Sequence, residues 1–169
     1  MKKIILIFSA FFLLTTYASS KDKKYSYGEH ELNFFTGMFD FSDKGKRSGI
    51  FGLQHQNESL FRDSFIGTIS PVSGVMFTVD NSSYFYTGVQ AQYKIGKINF
   101  VPSFTPGIYS EGDGKDLGHP IEFKSELQMS FDIFENSELG FSYNHLSNAS
   151  LGEKNPGANS YMFNFLKSF

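Results

Sequence analysis

The chain has no cysteine and no tryptophan, only five prolines and four histidines, and a formal net charge of −2 over 169 residues. Without cysteine there are no disulfides to place and no lipoprotein-type leader. A near-neutral balance is not that of a nucleic-acid binder. Beyond residue 20 there is no long apolar run, since every candidate is broken by Gly, Pro or charge, so no segment there would cross a membrane as a helix. The first twenty residues are different. Lys2 and Lys3 form a basic start, Ile4 to Leu14 an apolar run, and Ala18-Ser19-Ser20 a small-residue end. This pattern reads as a secretory signal peptide cleaved after Ser20. It leaves 149 of the 169 residues, 21–169, as one domain, and removing its two lysines takes the charge from −2 to −4.

What the chain has in abundance is aromatic side chains, 21 Phe and 9 Tyr. A soluble domain of this size rarely needs so many, whereas a membrane β-barrel places them on its outer face and in its interfacial girdles. Helices and closed barrels are the only lipid-exposed structures that satisfy the backbone without water. An exported chain of this kind is therefore either a soluble β-domain or an outer-membrane barrel.

Side chains alternate faces with a period of two along a strand, and eight segments show this alternation. They are Tyr27 to Phe41, with its facing left open, Gly49 to Gln56, a segment within Phe65 to Val79, Ser83 to Lys94, Ile98 to Tyr109, Ile121 to Ile133, Leu139 to Ser147, and a last strand through Tyr161 to Phe169. Pro102 and Pro106 predict irregular pairing in the fifth. The sixth is the clearest. Ile121, Phe123, Leu127, Met129, Phe131 and Ile133 share one face, broken by Ser125, and Glu122, Lys124, Glu126, Gln128, Ser130 and Asp132 share the other. An even strand count and a terminal Phe169 after alternating aromatics fit an all-β, eight-stranded antiparallel up-and-down transmembrane barrel in the bacterial outer membrane. The charged face then becomes a paired interior filling.

The chemistry concentrates in the last hairpin. Leu139, Phe141, Tyr143, His145 and Ser147 share one face of the seventh strand. Asn159, Tyr161, Phe163, Phe165 and Phe169 share one face of the eighth. With both termini in the periplasm, His145 and Ser147 lie at the extracellular end of the lipid-facing surface, beside a loop containing Asn155-Pro156-Gly157. A His two residues from a Ser is alone a weak signal. Most such pairs are solvated strand ends, but this pair projects from an otherwise apolar face. Phe141, Tyr143, Phe163 and Phe165 read as lipid anchors. The glycine-rich 112–118 segment lacks the strand–helix context of a phosphate loop and reads as a turn. His30, His55 and His119 have no partners at metal-ligand spacing, so no metal, calcium site or other cofactor is assigned.

The segments Gly112-Asp113-Gly114-Lys115-Asp116-Leu117-Gly118, Glu122-Phe123-Lys124-Ser125, His145-Leu146-Ser147-Asn148-Ala149 and Asn155-Pro156-Gly157 together resemble the PagL-type lipid A 3-O-deacylases, outer-membrane enzymes grouped broadly with the acyloxyacyl hydrolases. The resemblance is clear from about Pro102 onward. It implies hydrolysis of an ester-linked acyl chain on lipid A at the outer wall of the barrel. It gives Ser147 the role of nucleophile, His145 that of base, and Asn155 that of oxyanion donor, helped by a backbone N–H near Ser150. It departs at Asn159, which stands where the family's best-known member carries a Glu to orient the histidine. An Asn oxygen still accepts a hydrogen bond from the imidazole but does not offset its positive charge. Asn159 is the expected orienting residue, with Glu153 in the loop as the substitute. The substrate partner is lipid A or lipopolysaccharide in the outer leaflet, and a homodimer is left open. The competing readings are a catalytically weak or inactive structural or adhesive barrel, motivated by Asn159, and an acyltransferase barrel, disfavoured by the charged interior.

Overall fold

The computed structural model describes residues 30–57, 60, 62–64 and 67–169. The expected leader, 1–20, and the start of the first expected strand lie outside them. Among the described residues there are nine strands: β1 (His30–Phe39), β2 (Ser48–Asn57), β3 (Arg62–Ser64), β4 (Gly67–Thr78), β5 (Ser83–Ile95), β6 (Ile98–Ser110), β7 (Ile121–Phe134), β8 (Ser137–Ser147) and β9 (Ala158–Ser168). Every pairing is antiparallel. The ladder runs β2-β1-β9-β8-β7-β6-β5-β4 and closes on itself because β2 also pairs β4. Eight strands make the ring. The three-residue β3 pairs the start of β4, where the sequence predicted only a connection.

The expected irregularity at the prolines is present. Between β5 and β6 the register is interrupted around Pro102 and Pro106, while the β6–β7 pairing runs unbroken through both. A β-strand needs about 9–11 residues to cross the hydrocarbon core, and the eight ring strands have from 10 to 14. On the outer face Phe34, Phe51, Phe85, Phe104, Met129, Phe131, Phe141 and Phe163 are all exposed. In water so large an apolar band would be a severe liability. In a bilayer it is the surface the lipid tails require. The rings also contact each other, with centroids 5.8 Å apart for Phe51–Phe77 and 5.7 Å for Phe141–Phe163. β1 resolves its ambiguous facing with Phe35 and Phe39 inward and Phe34 outward.

The lumen is packed rather than open, as expected of a barrel this small. Lys124 donates to Glu126 Oε2 at 2.6 Å, with its ammonium 3.9 Å from the centre of the Tyr86 ring. Asn33 Nδ2 donates to Gln128 Oε1 and Asn164 Oδ1, and Asn164 in turn to Ser142 Oγ. One member of the charged face departs from the expected pairing. Glu122 is fully buried, and neither of its carboxylate oxygens has a hydrogen-bond partner among the described residues. Asp132 lies opposite the buried Glu138 and keeps the inward parity, but at the open end of the barrel, where it is exposed and meets Lys94 at 3.5 Å.

The ends of the barrel differ. At one, Gly96-Lys97 and Glu135-Asn136 are tight turns, and the C-terminus is tied to β1 by a backbone pair between His30 and Phe169. At the other, the 40–47, 111–120 and 148–157 loops cluster. Lys46 Nζ reaches Gly114 O, Asp113 N–H reaches Asp80 O, and Asn148 Nδ2 reaches Leu117 O. This looped end carries the candidate site.

Candidate active site

His145 and Ser147 project from the outside of β8. His145 is exposed and Ser147 half-buried, while their neighbours Asn144, Leu146 and Asn148 are buried. Residues two apart on a strand share a face with their Cα atoms about 6.5–7 Å apart, so imidazole and hydroxyl leave the same outward face above the aromatic band. Across the ladder His145 pairs with Asn159. Both therefore present their side chains on one surface, and His145 Nδ1 lies 2.9 Å from Asn159 Oδ1. An amide oxygen only accepts, so Nδ1 carries the proton and Nε2 keeps its lone pair. Glu153 is exposed in the loop and is not the partner of Nδ1.

Three residues not assigned to the site from the sequence hold this arrangement. Tyr143 was expected as a lipid anchor, yet its hydroxyl donates to Asn159 Oδ1 at 2.7 Å. Asn159 Nδ2 donates to Ser42 Oγ at 3.1 Å, and Ser42 Oγ donates to Asp40 Oδ1 at 3.0 Å. Asp40 is buried and takes a left-handed conformation, φ 46. Its Oδ1 also accepts the Asn159 N–H at 3.3 Å, and its Oδ2 is held by the Lys115 ammonium. The backbone completes the clamp through Phe41 N–H to Asn159 O at 2.9 Å.

Beyond Ser147 the chain turns sharply. Ala149 and Ser150 both have positive φ, 52 and 66. Each such residue costs about 1–2 kcal/mol, and Asn148 offsets the strain. Its Oδ1 accepts Ser150 N–H at 2.9 Å, and its Nδ2 donates to Leu117 O and Lys154 O, both at 2.8 Å. Asn148 N–H donates to Asn155 Oδ1 at 3.1 Å, which leaves the Asn155 Nδ2 amino group as the donor end of that amide. The Ser150 N–H, near which a second oxyanion donor is expected, is already bonded to Asn148 Oδ1. Gly157, buried at φ 63, lies against the imidazole. The loop is pinned by Lys154 Nζ on Asp116 Oδ2 at 2.5 Å. That bond holds the Asp116 carboxyl below its usual range and raises the Lys154 ammonium above its own.

The Gly112–Gly118 segment behaves as the turn expected, with Gly112 and Gly118 at positive φ. It is also a buttress, since Lys115 clamps Asp40 and Leu117 O accepts from Asn148. Among the described residues no group of three or more potential ligands could hold a metal ion.

These features define a class, an outer-membrane β-barrel with a polar cluster on its lipid-facing wall. Comparison with known proteins narrows it. The family model described as lipid A 3-O-deacylase (PagL) matches residues 51–168, and the chain belongs to that family. It is an outer-membrane lipid A deacylase. The match reaches well upstream of the motifs legible by eye. No curated protein sequence matches. Among solved structures, the barrel is similar to the crystal structure of the outer membrane enzyme PagL, with TM-score 0.60 and 15% identity over 82% of this chain and 99% of that one. It is nearly as similar to a de novo designed transmembrane β-barrel, with TM-score 0.57 and 10% identity over 86% and 99%. A designed scaffold thus shares the shape, so the architecture alone does not carry the activity.

Proposed function

We propose that this protein hydrolyses the 3-O-linked acyl ester of lipid A by a serine mechanism on the outside of the barrel. Ser147 Oγ attacks the ester carbonyl while His145 Nε2 takes its proton. The oxyanion receives a hydrogen bond from Asn155 Nδ2, a contribution of about 3–4 kcal/mol at the transition state for such a donor. As the tetrahedral intermediate collapses, the sugar oxygen leaves with the proton from His145. Water, deprotonated by the same nitrogen, then releases the fatty acid from Ser147.

The observation that supports this reading most is the 2.9 Å contact between His145 Nδ1 and Asn159 Oδ1 on an outward surface. It leaves Nε2 as the ring nitrogen available to serve as base for Ser147, which leaves the same face of the strand. Such a site needs no tunnel, because its substrate arrives by lateral diffusion in the outer leaflet. The test is a mass spectrum of lipid A from cells with and without the protein. Wild type is expected to remove one hydroxyacyl chain. Ser147→Ala is expected to leave lipid A intact while the barrel keeps its heat-modifiable migration. Unaltered lipid A with folded wild type favours the inactive-barrel reading, for which the neutral Asn159 is the motive.

A further inference from the structure

We propose, building on that reading of the site, that Asp40 and Ser42 are positioning residues whose task is to decide which end of the Asn159 amide faces His145. A carboxylate has two equivalent oxygens and no wrong way round. An asparagine does: rotated by half a turn it would offer Nδ2 to the ring. Nδ1 would then have to accept, the proton would move to Nε2, and nothing would remain there to take the Ser147 proton. Amide orientation is set by the surrounding hydrogen bonds, and here they run in one direction. An ionised carboxylate only accepts. Asp40 Oδ1 therefore draws the Ser42 proton at 3.0 Å. The Ser42 oxygen is left to accept, and takes Asn159 Nδ2 at 3.1 Å. The amide oxygen is thereby turned to His145 Nδ1 at 2.9 Å. Lys115 holds the other oxygen of Asp40, and the Asn159 N–H on Oδ1 keeps the carboxylate in register with β9. A polarity defined by one buried charge passes through two neutral side chains to the imidazole. The loop after β1 supplies by direction what the absent carboxylate at position 159 would supply by symmetry.

The test pairs turnover with a tautomer measurement on the purified full barrel in detergent micelles. Ser42→Ala is expected to lower kcat on lipid A about tenfold or more, short of the roughly 10⁴-fold loss when a triad acid becomes its amide, with KM unchanged. The nitrogen-15 resonances of His145 should move toward the Nε2–H form. Ser42→Thr keeps the hydroxyl and should restore both. In an Asn159→Asp background, Ser42→Ala should matter by less than about threefold, because a carboxylate needs no steering. An unchanged tautomer in Ser42→Ala, or the same kcat loss in both backgrounds, overturns the proposal. Wild type that folds yet releases no fatty acid would sink the hydrolase reading instead, while the tautomer shift still decides the role of Ser42.

Discussion

Gly157→Ala is the substitution whose outcome follows most directly from the geometry. A Cβ built there lies 2.9 Å from His145 Cε1 and 3.3 Å from Nε2. An ordinary carbon–carbon contact is about 3.5–4.0 Å, so the ring must retreat by roughly 0.6–1.1 Å or tip off Asn159. Misplacing a reacting group by about 1 Å costs roughly 10²-fold. The backbone adds its own penalty, since alanine at φ 63 is strained by about 1–2 kcal/mol. Gly96→Ala separates the two effects. Gly96 has φ 65 in a tight turn at the opposite end of the barrel, and a Cβ there meets nothing within 4 Å. Both variants should show a similar small loss of stability by heat-modifiable migration. Only Gly157→Ala should lose roughly 10–100-fold in kcat/KM, followed as fatty acid released from lipid A micelles. Activities within threefold of each other would mean that the imidazole does not need its observed place, and would refute the reasoning.

Asn155→Ala removes the proposed oxyanion donor and should lower kcat by roughly 10²–10³-fold, with the barrel still folded on a gel. Lys124→Met leaves Glu126 without its cation in the lumen, a change of the kind that costs about 3–5 kcal/mol. Its thermal unfolding midpoint should fall clearly, and Lys124→Met/Glu126→Gln should recover much of the loss. The Lys154–Asp116 pair at the rim should respond to pH in a defined sense. The depressed Asp116 pKa gives a contribution that is present above the ordinary carboxylate range and lost as pH falls below it; the raised Lys154 pKa gives one lost only above the ordinary lysine range. Protease cleavage in the 148–157 loop should therefore stay flat across neutral pH, rise at the acid extreme, and rise at neutral pH in Asp116→Asn.

The ring strands were legible because a wall with lipid outside and a packed polar lumen inside imposes period two on each of them. The same parity placed His145, Ser147 and Asn159 outward, and the structure brings His145 and Asn159 together. What escaped lies across the closure of the barrel. Asp40 and Ser42 are 119 and 117 positions away from Asn159, and an Asp-x-Ser at a strand end has no spacing that marks it. Only the β1–β9 pairing makes them neighbours. Tyr143 lies on the outer face as expected, but its bond to Asn159 was not legible, because parity gives the direction of a ring and not the partner of its hydroxyl. Asp132 kept the expected parity and found a cation, but at the open end of the barrel, where an inward direction does not bring burial.

The seam between the first and last strands has a consequence for timing. Asp40 and Ser42 reach Asn159 only once β1 and β9 have zipped together, the event that finishes an up-and-down barrel. A chain with both edges still unjoined carries Ser147 and His145 on one hairpin but not the contact of Ser42 with Asn159. On the proposed reading, the hydrogen-bonded path from Asp40 to His145 is therefore complete only when the barrel has closed.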